Sequence, residues 1–459
     1  MKKLRFYLAM FAAKTGHGVL RLLGRNATYL PGKVAVKLCP DFLAQLTPPK
    51  TVIAVTGTNG KTTVSNLLTS ILKENGYSVT NNSFGSNVQA GVATALLVDS
   101  TWGGKAKKDI AVLEVDERSS LLVYPYLTPD FLVCNNIMRD SIKRNAHTGF
   151  ISYIIDRALP DETHLILNGD DLICATLGPN CKNRTYFGLD AEKPAESRPQ
   201  FIRDMVYCPH CGTALEAEYI RYNHIGRMYC PHCGLKSPDR DFVVTDIDRK
   251  NETLTIAHDG REEKFRLLND NVVNIYNFCG AVAVLTRVGL SYEQIAKGFR
   301  NSKIVESRYE ELDVGNTHIV MQMAKGQNPI ACARCFSYVA QYPGENKGVI
   351  IIIDDVGDNN GNSESTCWLY DCDYSYLADP SIGQIVFGGP RCRDHYLRAL
   401  LAGVSADKMK ITEDSARAAD LLDVEGRTNL FVLHELYRPG DAAAIKARLT
   451  ERCQGGAEK

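Results

Sequence analysis

Residues 55–63 read Val-Thr-Gly-Thr-Asn-Gly-Lys-Thr-Thr and follow the apolar run Thr51-Val52-Ile53-Ala54. A strand, a glycine-bent loop and a helix in that order turn backbone N–H groups and the positive end of a helix toward a phosphate chain. Gly57, Thr58, Asn59, Gly60, Lys61, Thr62 and Thr63 are the expected cradle. Lys61 would reach the terminal phosphates and the Thr62 hydroxyl would hold Mg²⁺, so the segment predicts ATP binding. Position 55 is valine where the general G-x-x-x-x-G-K-[ST] loop has glycine, which leaves the shorter T-G-T-N-G-K-T-T form.

A second constellation is Cys208-Pro209-His210-Cys211 with Cys230-Pro231-His232-Cys233, each followed by glycine. Two C-x-x-C turns at this separation can bring four thiolates to one tetrahedral Zn²⁺, and four protein ligands make the metal structural. His210 and His232 lie inside the knuckles and are not expected to be ligands. Residues 202–240 read as an insertion, with Asp204–Tyr207 and Arg240–Val244 as flanking strands of the host domain.

The elements that must position these groups alternate. Apolar runs at Val52–Val55, Ile110–Val115, Phe131–Cys134 and Leu165–Asn168 predict buried strands separated by helices, one of them Thr62–Leu72. That pattern predicts a parallel sheet covered on both faces, with ligands at the carboxyl ends of the strands. Glu114-Val115-Asp116-Glu117, Asn135-Asn136 and Asn168-Gly169-Asp170-Asp171 fall at those ends. The last third repeats the alternation, with strands at Ile319–Met323, Val349–Asp354, Ile382–Phe387 and Leu430–Leu433. Its helices are expected at Ala331–Gln341, Arg391–Ala402, Ser415–Asp423 and Asp441–Leu449, with a domain boundary near Asn301–Val314.

The chain has 459 residues, enough for two or three cores. Lys+Arg and Asp+Glu both number 53, so no overall field favours nucleic acid. The opening Met1-Lys2-Lys3-Leu4-Arg5, followed by Phe6 to Ala13, imitates a signal peptide, but Lys14 interrupts it and the run is too short to span a bilayer. It is expected to be an amphipathic helix packed on the first domain, with at most peripheral membrane contact. Fifteen cysteines without a disulfide framework point to a reducing, cytoplasmic location; pairs such as Cys332/Cys335 and Cys367/Cys372 read as buried small hydrophobes.

The short loop resembles the ATP loop of Mur ligases and folylpolyglutamate synthetases. Together with the ribbon, the chain resembles the MurT family, the Mur ligase-like subunits of lipid II isoglutaminyl synthase that work with the glutaminase subunit GatD. The resemblance extends to Pro31-Gly32-Lys33-Val34-Ala35, Asn82-x-x-Gly85-Ser86-Asn87, and Tyr276-Asn277 before an Ala-rich helix. It implies an α/β fold: a Mur ligase-type ATPase domain over 1–305 carrying the zinc ribbon, then a Rossmann-like α/β domain over 306–459 that docks the glutaminase. By the same resemblance Glu114 is a second Mg²⁺ ligand and a catalytic residue with Lys61, Asn277 lies near the nucleotide, and Asn168 and Asp170-Asp171 match an L-N-x-D-D segment in which a structural turn is an equal reading. The stretch Trp368-Leu369-Tyr370-Asp371-Cys372-Asp373-Tyr374 matches the segment that gives the glutaminase an aspartate, with Asp371 first and Asp373 second.

The implied reaction phosphorylates the α-carboxylate of D-glutamate in the lipid II stem peptide and lets ammonia form D-isoglutamine. Motifs depart from the family at Asn136–Ala146, Ser307-Arg308-Tyr309-Glu310, Lys325-Gly326-Gln327-Asn328-Pro329 and Asp354–Gly361, which leaves the acceptor open. Two other readings stay open here: a Mur ligase proper that adds an amino acid, and a nucleotide-binding scaffold without catalysis.

Overall fold

A strand buried on both faces needs a continuous apolar run, and Val52-Ile53-Ala54-Val55 and Ile110-Ala111-Val112-Leu113 each supply one. The computed structural model describes residues 2–82, 86–140, 145, 147–194, 203–302, 309–324, 326–354, 365–435 and 439–455. They divide into two compact units, the first within Met1–Met138, His147–Arg198 and Arg203–Ile304, the second within Arg139–Ala146 and Val305–Lys459. Gly85, Ser141–Arg144, Ala146, Ser307-Arg308, Lys325 and Asp355–Gly361, all part of the motifs above, lie outside the described residues.

The first unit carries β1 (Thr51–Thr56), β2 (Val79–Asn81), β3 (Ile110–Glu114), β4 (Phe131–Cys134), β5 (His164–Asn168) and β6 (Arg184–Leu189). A two-stranded ribbon of β7 (Glu216–Tyr222) and β8 (Ile225–Tyr229) follows, then β9 (Phe242–Asp248), β10 (Thr253–His258) and β11 (Arg261–Arg266). The main sheet runs β11-β10-β9-β6-β5-β4-β1-β3-β2. It is parallel from β2 to β9 and antiparallel across β9, β10 and β11.

The four expected strands are paired in parallel, and the antiparallel edge is an addition that the sequence reading did not include. β11 reads Arg-Glu-Glu-Lys-Phe-Arg and offers no apolar run. The signal that could have revealed it is Asp259-Gly260, whose positive φ values of 49° and 73° make a tight hairpin turn. A correction concerns Asp204–Tyr207, which is not a strand. Tyr207 makes a lone bridge to Ala214, because the chain turns back at once into the first knuckle. The ribbon excursion thus leaves β6 and returns at β9, its parallel neighbour.

Helix α1 (Lys2–Leu22) lies against α2 (Leu30–Leu38), and α2 against α4 (Gln89–Val98). Gly32 permits the second contact: its N–H donates to Thr94 Oγ1 at 2.8 Å, and a Cβ there would meet that oxygen at 2.6 Å. Helix α3 (Lys61–Glu74) leaves the glycine loop and packs on the helix Val272–Val288. The latter starts at an Asn271 cap, so Tyr276-Asn277 lie inside it rather than before it. Among the described residues no helix is long and apolar enough to cross a membrane.

The second unit is a six-stranded sheet of β12 (Tyr309–Val314), β13 (Thr317–Met323), β14 (Lys347–Ile352), β15 (Ile382–Gly388), β16 (Met409–Thr412) and β17 (Asn429–His434), ordered β12-β13-β17-β14-β15-β16. Only β12 is antiparallel. Edge strands β12 and β16 escaped the sequence reading because one is acidic and the other short. Helices Pro329–Gln341, Cys392–Leu401 and Pro439–Gly455 match three expected ones. The expected helix Ser415–Asp423 is instead a 3₁₀ turn, Ser415–Arg417, and one helical turn, Ala418–Leu421. None of the fifteen cysteines is in a disulfide; Cys332, Cys335 and Cys372 are buried in the core and Cys367 is exposed.

Candidate functional site

Strand β1 ends at Thr56, and the chain bends at Gly57 (φ 115°) and Gly60 (φ 90°) before α3 begins at Lys61. Both conformations favour glycine, and both sites are tight. A Cβ at Gly57 would sit 2.9 Å from the Asn136 carbonyl, and one at Gly60 would collide with Asn277 Oδ1. Asn277 is fixed in turn by Asn135 Nδ2 at 2.5 Å, and Asn168 Nδ2 holds the Asn135 carbonyl at 2.9 Å.

Asn136 braces the loop directly. Its carbonyl accepts from Thr58 N (2.9 Å), its Oδ1 accepts from Asn59 N (3.0 Å), and its Nδ2 donates to Asn59 O (3.1 Å). Thr58 Oγ1 exchanges hydrogen bonds with the Met138 backbone at 2.9 Å. The amides of Thr58 and Asn59 are therefore committed to the protein, which corrects the expectation that the whole loop faces the phosphates. Among the described residues no side chain caps α3, so its first-turn N–H groups, Lys61 to Thr63, could donate to an anion.

Lys61 Nζ donates to the Gly57 carbonyl (2.5 Å) and to Glu117 Oε1 (2.8 Å). Burial opposes its charge, yet Glu117, with Glu114 and Asp116 behind it, raises its pKa, so Lys61 stays cationic. Thr62 Oγ1 donates to Glu114 Oε2 at 2.9 Å, and Asn87 Nδ2 donates to Glu114 Oε1 at 3.0 Å. Asn82 grips the Glu114 backbone at both N (2.8 Å) and O (2.7 Å), which sets the carboxylate's direction.

Glu114, Asp116 and Glu117 are all buried. Lys61 answers one of these charges, while the donors to Glu114's carboxylate are a neutral hydroxyl and a neutral amide. Buried carboxylates require pairing or a metal, so Thr62 and Glu114 fit a divalent cation. Sequence reasoning placed Glu117 in an acidic cluster without a role and gave Asn136 none. Their positions just after β3 and β4 were the available signal.

Asp170 and Asp171 are structural. Asp170 accepts from Arg240 Nη1 (2.9 Å), Leu189 N (2.9 Å) and Tyr276 Oη (2.8 Å). Asp171 accepts from Ile137 N (2.7 Å), caps Ile173 and Cys174, and meets His224 Nε2 at 2.9 Å. His224 sits fully buried at the tip of the β7–β8 ribbon. The ribbon is thus tied through Asp171 to the 135–138 segment that braces the loop. Only the tertiary fold reveals this link.

In the ribbon the sulfurs of Cys208, Cys211, Cys230 and Cys233 lie within 4.8 Å of one another, and the 208–233 and 211–230 pairs are 3.5 Å apart. Tetrahedral Zn–S bonds of about 2.3 Å place sulfurs about 3.8 Å apart, so the set fits Zn²⁺. Each knuckle closes the same way: Gly212 N donates to Cys208 O and Gly234 N to Cys230 O, at 2.9 and 3.2 Å.

In the second unit Asp371 ends the short helix Trp368–Asp371 and meets Arg139 Nη1 at 3.1 Å. Asp373 caps its own turn, accepting from Ser375 N (3.0 Å) and Ser375 Oγ (2.6 Å).

Residues 326–436 match the family model "MurT ligase C-terminal", and residues 55–204 match "Mur ligase middle domain". A Streptococcus pneumoniae protein described as lipid II isoglutaminyl synthase (glutamine-hydrolyzing) subunit MurT is 30% identical over 94% of both chains. The chain belongs to the MurT family. A Staphylococcus aureus protein of the same description is 30% identical over 93% of this chain and 94% of its own. The fold is also that of a pseudomurein peptide ligase type C from Methanothermus fervidus (TM-score 0.65, 20% identity, 90% of this chain and 81% of that one). It is likewise that of a MurF ligase from Thermotoga maritima in complex with ADP (TM-score 0.60, 14% identity, 93% and 84%).

Proposed function

We propose that this MurT-family chain is the ATP-dependent half of a two-chain amidating ligase. It activates the α-carboxylate of D-glutamate in the lipid II stem peptide, and ammonia from a GatD-like glutaminase partner, its heterodimer mate, converts it to D-isoglutamine. The observation that carries the reading is the Lys61–Thr62–Glu114 arrangement at the start of α3, in a chain that aligns nearly end to end with relatives bearing that description.

The chemistry balances in two steps. A carboxylate oxygen attacks the γ-phosphorus of ATP, the bond to the bridging oxygen breaks, and ADP leaves. Ammonia's nitrogen then attacks the acyl carbon of the mixed anhydride, inorganic phosphate leaves, and a proton passes from nitrogen to solvent. Thr62 and Glu114 would hold Mg²⁺, which would supply charge neutralisation on the phosphates. Lys61 and the α3 amides hold the transferring group, with their positions set in advance by Asn136, Asn277 and Glu117.

The Cys₄ ribbon holds structural Zn²⁺. Residues 1–305 form the ATP-binding domain, and residues 306–459 dock the glutaminase and lend its Cys-His pair an aspartate. Asp373 already caps its own turn, so Asp371, about a third exposed and held by one guanidinium, remains the first choice. The reaction takes place in the cytoplasm, at the inner face of the membrane that carries the lipid-linked acceptor.

The test is purified chain with ATP, Mg²⁺, ammonium and lipid II, followed by product mass. Replacement of one hydroxyl by an amino group is expected. Phosphate release that depends on a free amino acid, with no need of ammonia, would overturn the reading in favour of a Mur ligase proper.

A further inference from the structure

Helix α1 is apolar on two opposite sides. One side, Phe6, Ala9, Met10 and Ala13, is buried in the first unit, with Phe6 stacked on Phe42 at 5.3 Å between ring centroids. The other side faces outward: Leu4, Leu8, Phe11, Val19 and Leu22 are 64, 58, 63, 49 and 89% exposed. At 100° per residue these five positions fall within about 80° of one another, on one stripe along the whole helix. Trp102, 58% exposed, extends the stripe beside Phe11 with ring centroids 6.3 Å apart.

The charges carried by the helix itself have one sign, although Asp99 on the neighbouring segment faces Lys14. On the helical projection Lys3, Lys14 and Arg21 lie along one flank and Arg5 along the other, and the chain carries no aspartate or glutamate before Asp41. That asymmetry is local, because the whole chain has 53 basic and 53 acidic residues. Leucines and aromatics in a stripe, bordered by lysine and arginine and free of acids, complement an anionic lipid headgroup layer with acyl chains beneath it.

We propose that the outer stripe of α1 is an interfacial docking surface that rests on anionic phospholipid. The apolar side chains enter the headgroup–acyl boundary while Lys3, Arg5 and Arg21 meet lipid phosphates. Lys14, bonded to the Ser100 carbonyl at 2.6 Å and lying over the Trp102 ring, holds that ring beside the stripe, and the inner stripe keeps the helix on its domain. Trp102 enters with Phe11. This surface depends only on α1 and its neighbour, so it stands or falls separately from the amidation reading. It would hold the ATP-binding unit beside lipid-linked molecules.

The full chain, alone and with its glutaminase partner, is mixed with phosphatidylglycerol-containing vesicles and with phosphatidylcholine vesicles, at low and high salt. Sedimentation with the anionic vesicles, weakened by salt, is expected. Leu8→Glu/Phe11→Glu, at exposed positions, should lower partition at least about tenfold and leave ATP binding and melting temperature unchanged. Lys3→Glu/Arg5→Glu should remove the preference for anionic lipid. Trp102 supplies a site-specific readout because Trp368 is buried in the second unit. Brominated acyl chains should quench the wild-type emission and leave the Trp102→Phe variant unquenched. Equal sedimentation of wild type and the double glutamate variant would overturn the proposal. So would absence from anionic vesicles combined with protection of Leu8 and Phe11 only in the partner complex or in a dimer, which would assign the stripe to a protein.

Discussion

The phosphate loop and the Cys₄ ribbon are both built on glycines with positive φ, yet those glycines serve different ends. In the loop, Gly57 and Gly60 are pressed against Asn136 and Asn277, so lack of a side chain matters as much as backbone freedom. In the ribbon, Gly212 (φ 73°) and Gly234 (φ 76°) have open space where a Cβ would stand. The loop takes its shape from residues distant in sequence, Asn136 after β4 and Asn277 inside the helix Val272–Val288. The ribbon takes its shape from two short self-contained turns and four sulfurs. A site for a ligand that comes and goes is preformed by its scaffold, whereas a four-thiol ribbon of this kind would rely on the ion it binds.

Metal removal separates the two most sharply. Chelation of the ribbon, or Cys208→Ser, should release metal-linked free energy on the order of 10 kcal/mol. Calorimetry should show a lower melting temperature for the first unit, and metal analysis should show one zinc lost. An unchanged melting curve would mean that the thiols alone hold the ribbon.

Lys61→Ala should do the converse. Amide formation should fall about 10²–10³-fold, about 3–4 kcal/mol of transition-state stabilisation, while zinc content stays at one per chain. Paired measurement of product and bound zinc checks this.

The glycines test the comparison at a finer scale. Gly60→Ala combines a strained φ with collision against Asn277 and should cost about 2–4 kcal/mol, read as weakened ATP binding. Gly212→Ala carries only the backbone strain and should cost about 1–2 kcal/mol in denaturant titration. Equal costs would refute the distinction.

The smallest effect should come from the contact that joins the regions. His224→Ala removes one of three hydrogen bonds to Asp171 Oδ1, the other two coming from Ile173 N and Cys174 N. It should raise KM for ATP severalfold, about 1 kcal/mol, with kcat nearly unchanged and zinc retained. His224→Gln should restore most of the binding by supplying a donor.

What the sequence revealed follows the same division. The knuckles were legible because both halves of each turn lie within six residues, from Cys208 to Thr213 and from Cys230 to Leu235. The nucleotide loop was legible from Thr56 to Thr63, since a strand, two glycines and a lysine are consecutive. Its supports were legible only in part. Asn277 was placed near the nucleotide by resemblance alone, and Asn136 and Glu117 stood at the expected strand ends without a role, because only the parallel register of β1 with β3 and β4 brings these two alongside the loop. Strands β9 to β11 show a related limit: an exposed, charged edge lacks the apolar run by which buried strands are recognised. His224 had no local signal at all, being a lone histidine in a polar hairpin.

The central claim is that a carboxylate is activated by phosphorylation before nitrogen attacks, and an isotope decides it. An acceptor labelled with ¹⁸O in both oxygens of its carboxylate is converted by the complex with ATP and ammonia, and the released phosphate is analysed by mass. One labelled oxygen in phosphate for each amide formed is the predicted result. Amide formation with phosphate free of label would contradict the account.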